Sequence, residues 1–216
     1  MERHTTRVTH GAALFATVVA AFMIGACATN SALVNMWKDP EGPRQPLANV
    51  MVISIRRNEM MRRVWEDRFV EKLSERGARA VPSYRVYPDR APDTTQIAEA
   101  VRTSGFDGVI VIHGLGTTTT SHYVQGYTTL EPVNRLNPWT GYYHTYYDEV
   151  YSPGYTETDQ VLRYQIDVYS AHDAGSLVWS GVTETIDPSS ETAVYREVSH
   201  LIIPELAHAG VVPNRK

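Results

Sequence analysis

The sequence predicts an α/β fold on the boundary with α+β. It is a mixed β-sheet with a β-α-β-α-β start, antiparallel hairpins, a C-terminal helix and a long Tyr-rich hairpin flap. Three observations predict it. Val50–Ile55 (VMVISI) and Asp107–His113 (DGVIVIH) are continuous apolar runs, the pattern of strands covered on both faces. Two capped segments with helical spacing follow Asn58 and Asp93. From Gly114 onward the apolar period changes to two, the grammar of antiparallel strands.

The elements follow in order. Asn58 caps a helix in which Met61, Trp65, Phe69 and Leu73 recur every four residues, with Val64 beside them. Arg62, Arg63, Glu66, Asp67 and Arg68 fall off that stripe, and Gly77 ends the helix. Ala78–Tyr84 reads as a short strand, placed at an edge by Pro82. Asp93 and Gln96 have the spacing of a capping box, ahead of an inner face of Ile97, Ala100, Val101 and Ser104 that ends at Gly105.

Beyond Gly114, Thr117–Thr129 and Tyr142–Tyr151 read as the two arms of one long hairpin. Leu130–Gly141 (LEPVNRLNPWTG), rich in turn chemistry, reads as the loop between them. Val161–Ala171 alternates cleanly, with Leu162, Tyr164, Ile166 and Val168 on one face. His172-Asp173-Ala174-Gly175 is a tight turn, and Ser176–Ile186 pairs back. Asp187-Pro188 reads as an N-cap with proline at the first helical position. Val194, Val198, Leu201 and Ile202 form the face of the last helix, and Pro204 should kink or end it.

The N-terminus reads as an address. Arg3 and Arg7 precede the apolar run AALFATVVAAFMI (12–24), too short for a membrane span of about 20 residues. Ile24-Gly25-Ala26-Cys27 follows, and the four residues resemble a bacterial lipobox. That resemblance implies cleavage between Ala26 and Cys27 and covalent lipid on Cys27. The chain then divides into a signal peptide (1–26), a lipidated tether (27–48) and a periplasmic domain (49–216), with 116–159 as the Tyr-rich insertion. Ala28 rather than Asp after the cysteine implies, by resemblance to lipoprotein sorting, the periplasmic face of the outer membrane. Cys27 is the only cysteine, so no disulfide is expected.

Without the first 26 residues Lys+Arg falls from 20 to 18 and Asp+Glu from 24 to 23, a net charge of −5. A mildly acidic chain with no basic block argues against nucleic acid as a partner. Gly114-Leu115-Gly116 follows a strand but lacks the rest of a phosphate loop. Asp148-Glu149 and Glu184 with Asp187 are the carboxylates an envelope hydrolase would use, a remote alternative. The histidines outside the leader, at 113, 122, 144, 172, 200 and 208, show no metal-ligand spacing, although His122 and His144 would face each other across the flap. No catalytic residue, metal or cofactor is expected beyond the lipid.

The candidate binding surface is aromatic. Of thirteen tyrosines, six lie between Gly141 and Tyr155. Tyr143, Tyr147 and Tyr151 share one face of a strand there, and Tyr123, Tyr127 and Trp139 lie nearby. Tyrosine suits protein interfaces and sugars alike. The expected partners are therefore outer-membrane lipid through the anchor, and an envelope protein or a second copy through the flap. A peptidoglycan or exopolysaccharide glycan is the alternative.

Trp37-Lys38-Asp39-Pro40, VMVISI, GFDGVIVIHG (105–114) and above all DVYSAHDAGSLVWSGVTET (167–185) carry a wider likeness. Behind the lipobox, this order resembles an uncharacterised Gram-negative outer-membrane lipoprotein family classed as a domain of unknown function. More remotely it is similar to the curli- and exopolysaccharide-secretion lipoproteins, the penicillin-binding-protein activator lipoproteins and the N-terminal domain of the Tol-system β-propeller protein. The resemblance implies a non-enzymatic role in envelope assembly and carries no catalytic residue with it.

Overall fold

The computed structural model describes residues 31–136, 138–139, 141–172 and 175–215, with the backbone alone at 144. Ala26 and Cys27, expected to form the cleavage and lipidation site, and Asp173, expected in the tight turn at 172–175, lie outside them.

Eight strands and three α-helices are described. They run β1 (Ser31–Lys38), β2 (Asn49–Ile55), α1 (Glu59–Glu75), β3 (Arg79–Pro82), α2 (Thr94–Ser104), β4 (Gly108–Val124), β5 (Tyr127–Leu136), β6 (Tyr143–Ser152), β7 (Tyr155–Ser170), β8 (Ser176–Ile186) and α3 (Glu191–His208). Six strands form one sheet in the order β1-β8-β7-β4-β2-β3. The three strands of the β-α-β-α-β start are parallel, and β4, β7, β8 and β1 pair antiparallel.

The continuous apolar runs are covered on both sides, as their pattern predicts. Val50, Val52, Ile110 and Ile112 join a core with Trp65, Phe69, Leu73, Val198 and Ile202 of α1 and α3. Met51, Ile53, Val109 and Val111 join a smaller core with Ala100, Ile97 and Val101 of α2 on the other face. Caps set the helix ends. The Asn58 side chain accepts from the Met61 amide, and Asp93 with Gln96 forms the complete capping box. α1 closes with the paired Schellman bonds Ala78 N–H to Leu73 O and Gly77 N–H to Ser74 O.

Four expectations are corrected. First, Ser31–Lys38 of the supposed tether is an edge strand antiparallel to β8. Lys38 donates to the Ala209 carbonyl (2.6 Å) and Ser31 to Glu197 (2.7 Å), so the strand covers an edge of β8 and ties to α3. Trp37 remains half exposed.

Second, Arg62 and Glu66 are completely buried rather than solvated. They lie beside the apolar stripe of α1, where the chain Ser83–Tyr87 crosses it. Glu66 accepts from Ser54 N–H (3.0 Å), the Ser83 hydroxyl (2.7 Å) and Tyr84 N–H (2.9 Å). Arg62 binds Glu66, Glu59 and the Tyr87 carbonyl.

Third, Asp187 does not cap the last helix. Ser190 does, accepting from Ala193 N–H. Asp187 has φ +43° and its carboxylate accepts from Gln160 N–H (2.7 Å), which fixes the exit of β8. Pro204 lies within α3 without ending it.

Fourth, the flap pairs differently. β4 does not stop at His113; it runs on to Val124 and pairs with β7 over its whole length. Thr117–Val124 therefore meets Tyr155–Leu162, not Tyr142–Tyr151. Leu130–Leu136, expected as loop, belongs to β5 and pairs with β6 in a separate two-stranded ribbon. The β-branched and aromatic residues of 127–136 outweigh Pro132, which an edge strand tolerates.

Candidate interaction surface

The site is built in three steps along the chain. At the base, Gly114-Leu115-Gly116 is a β-bulge in β4, with Gly116 at φ +112°. The left-handed residue turns the strand as it leaves the sheet, so these glycines shape a bend rather than cradle phosphate. Above the bulge β4 and β7 continue as a two-stranded arm, because β8 ends its pairing at Val161↔Ile186. Thr118–Val124 against Tyr155–Val161 extends about 20 Å at about 3.4 Å per residue. Then the chain turns through Gly126 and Gly154, which approach so closely that a Cβ on Gly126 would lie 2.6 Å from the Gly154 nitrogen. Beyond that joint lies the β5–β6 ribbon.

The register of the ribbon defines its faces. Tyr143, Tyr147 and Tyr151 lie opposite Leu136, Pro132 and Thr128, with Leu130 in the same layer. Tyr146 and Val150 lie opposite Val133 and Thr129 on the other face. Both faces are open. Tyr143 is 73 %, Tyr147 66 % and Tyr151 67 % exposed, and Tyr142, Tyr123 and Tyr127 are exposed as well. Trp139, in the connection between β5 and β6, is 95 % exposed. All six residues of the expected surface are thus exposed on the arm or ribbon. Leu130 and Leu136 join them and were missed, because Leu130–Leu136 reads as loop until its pairing is known; Tyr146 is exposed on the opposite face of β6.

Two arginine–carboxylate pairs lie along this surface. Arg135 bonds Asp148 across the ribbon (2.5 Å), and Arg163 bonds Glu184 at the base (2.6 Å). The carboxylates considered for a hydrolase are therefore spread over two sheets, three of them engaged by Arg135, Arg163 and the Gln160 amide. His122 faces Glu157 (3.1 Å) and Asp159 (3.6 Å) on the arm, while position 144 pairs with Arg135 in the ribbon, so the two histidines do not oppose each other. The Asp159 carboxyl titrates above its usual range through partial desolvation, then through its hydrogen bond and repulsion with the Asp187 carboxyl. Among the described residues no His/Cys/Asp/Glu group could hold a metal ion, and no helix is long and apolar enough to cross a membrane.

A second feature had no sequence signal. The eleven-residue α2 covers only part of its sheet face and leaves a cavity of about 550 Å³ beside Ile97, Val101, Val111, His113 and Tyr169. His113 lies 3.4 Å from the buried Asp167 there.

The architecture defines a mixed α/β class of domain. No protein-family model matches this chain, and no curated relative does. Among solved structures it is similar to the PelC dodecamer of Paraburkholderia phytofirmans, at 12 % identity and a TM-score of 0.45 over 86 % of this chain and 99 % of that one. It is also similar to the lipoprotein GNA1162 of Neisseria meningitidis, at 12 % identity and 0.38 over 74 % and 99 %. A third is a PDZ domain protein of Parabacteroides distasonis, at 12 % identity and 0.35 over 82 % of this chain and 36 % of that one. Likeness at this level leaves function to the chain's own residues.

Proposed function

We propose that this chain is a lipid-anchored assembly module of the outer membrane, facing the periplasm and working by binding rather than by catalysis. One observation carries the reading: a ten-residue aromatic ribbon, exposed on both faces, stands on an arm away from the packed sheet. An isolated two-stranded ribbon is marginal in water, and contiguous exposed apolar surface marks an interaction site. Lipid on Cys27 supplies the location. Because β1 begins at Ser31, four residues on from Cys27, that lipid would lie at most about 13 Å of chain from the sheet. Ser31 pairs with Thr185, at the end of the sheet from which the arm also leaves.

The test is cross-linking of the tagged full chain in intact cells, with Tyr143→Ala, Tyr147→Ala and Trp139→Ala combined as the comparison. The expected result is protein adducts with wild type and their loss in the variant. Adducts unchanged by the three substitutions would sink the reading. Loss of peptidoglycan retention instead, with no protein adduct, would give the surface to glycan. Cys27→Ser is expected to release the chain from the membrane fraction.

A further inference from the structure

We infer that the occupant of the ribbon is a second copy of this chain, added along the outer edge of β6 in an antiparallel register centred on Tyr147. This rests on the assembly reading above and names its partner. The argument begins with Pro132, which pairs with Tyr147. Proline has no N–H, so this pair takes the ladder position at which neither residue donates across the ribbon. By alternation, the N–H and C=O groups of Tyr143, Thr145, Tyr147, Glu149 and Tyr151 point outward, to an edge nothing in the ribbon pairs. The same logic points the missing donor of Pro132 outward on β5. One edge of the ribbon is therefore blunted by proline, while the β6 edge carries no Pro, Lys or Gly over its ten residues.

The β6 sequence YHTYYDEVYS is matched to its own reverse. Tyrosines stand four residues either side of Tyr147. A two-fold axis at Tyr147 sets Tyr143 opposite the second copy's Tyr151, and Tyr147 opposite its counterpart, all on one face. Asp148 then meets Tyr146, and Glu149 meets Thr145. Moving the centre to 148 or 149 sets Asp148 or Glu149 against itself. Moving it to 146 sets Tyr143 against Glu149. Centring it on 145 leaves Tyr151 unpaired. The register at Tyr147 matches every tyrosine of the face and opposes no carboxylates. It turns two marginal ribbons into one four-stranded sheet, β5-β6-β6-β5.

Variants of the full chain with one cysteine added, in membranes under mild oxidation, test the register. The wild type sets the background from Cys27. Tyr147→Cys should form a disulfide-linked dimer, since hydrogen-bonded antiparallel pairs have Cα atoms about 5.5 Å apart, within disulfide reach. Tyr143→Cys and Tyr151→Cys alone should stay at background, their copies being about 27 Å apart. The two expressed together should link. Glu149→Pro removes only an outward donor and should abolish the dimer with the circular-dichroism spectrum unchanged. Tyr147→Cys remaining at background, or Tyr143→Cys linking alone, would overturn the register. If ribbon-dependent adducts with other envelope proteins persist in that case, the assembly reading survives without it; if those are absent too, both fail.

Discussion

The six-stranded sheet and the β5–β6 ribbon use the same residue types to opposite ends. Where helices cover the sheet, the aromatic residues are buried: Trp179 of β8 and Trp65 of α1 are fully buried, and Trp65 packs on Tyr164 of β7 with ring centroids 4.5 Å apart. In the ribbon, Tyr143, Tyr147, Tyr151 and Tyr146 stand in solvent on both faces. The difference lies in the layers above and below. Helices α1 and α3 cover one side of the sheet and α2 part of the other, whereas the bulge at Gly116 and the arm carry the ribbon clear of them. Stability should therefore reside in the sheet, and association in the ribbon.

Substitutions can break or sharpen that division. The largest effect is expected at Glu66→Ala, which removes the fully buried counter-ion of Arg62, leaves it only the part-exposed Glu59 carboxylate, and orphans Ser54 N–H, Ser83 and Tyr84 N–H. The loss should be about 3–5 kcal/mol of unfolding free energy in urea titration. Gly181→Ala comes next. A Cβ there would run into the ring of the fully buried Trp179, so about 1–3 kcal/mol should be lost in the same assay.

A smaller effect concerns pH. His200 on α3 is held below its ordinary 6.5 by desolvation first, then by the nearby Lys72 and Arg68 cations. A histidine with a depressed folded pKa favours the neutral form in the fold. Its contribution is full above the unfolded value of about 6.5 and is lost as pH falls below that and through the lower folded value. Melting temperatures between pH 8 and 5 should fall less in His200→Gln than in wild type. The smallest effect belongs to the ribbon: Tyr143→Ala, Tyr147→Ala and Trp139→Ala together should move unfolding free energy by no more than about 0.5 kcal/mol while abolishing adducts. A large stability loss from those three would break the comparison itself.

Much of the fold was legible because its signals are local. The Asp93 capping box, the Gly77 stop, the doubly apolar strands and the β7–β8 hairpin each depend on neighbours within a few residues. The misread elements depend on distant partners. Arg62 and Glu66 look solvated on a helical wheel until Ser54 and Ser83–Tyr87 close over them. Ser31–Lys38 looks like tether until β8 offers it an edge, and Asp187 looks like a cap until Gln160 claims its carboxylate.

The sequence by itself determined the β-α-β-α-β start, the β7–β8 hairpin, the two-faced burial of the central strands and the concentration of tyrosine near residue 147. Only the tertiary structure decided how the tyrosine region pairs. β-formers in 117–124, 127–136, 143–152 and 155–162 admit several pairings at similar local cost, because strand partners are chosen by long-range register rather than by neighbouring residues. Extending β4 along β7 freed β5 and β6 to pair only with each other, and that pairing leaves both tyrosine faces open.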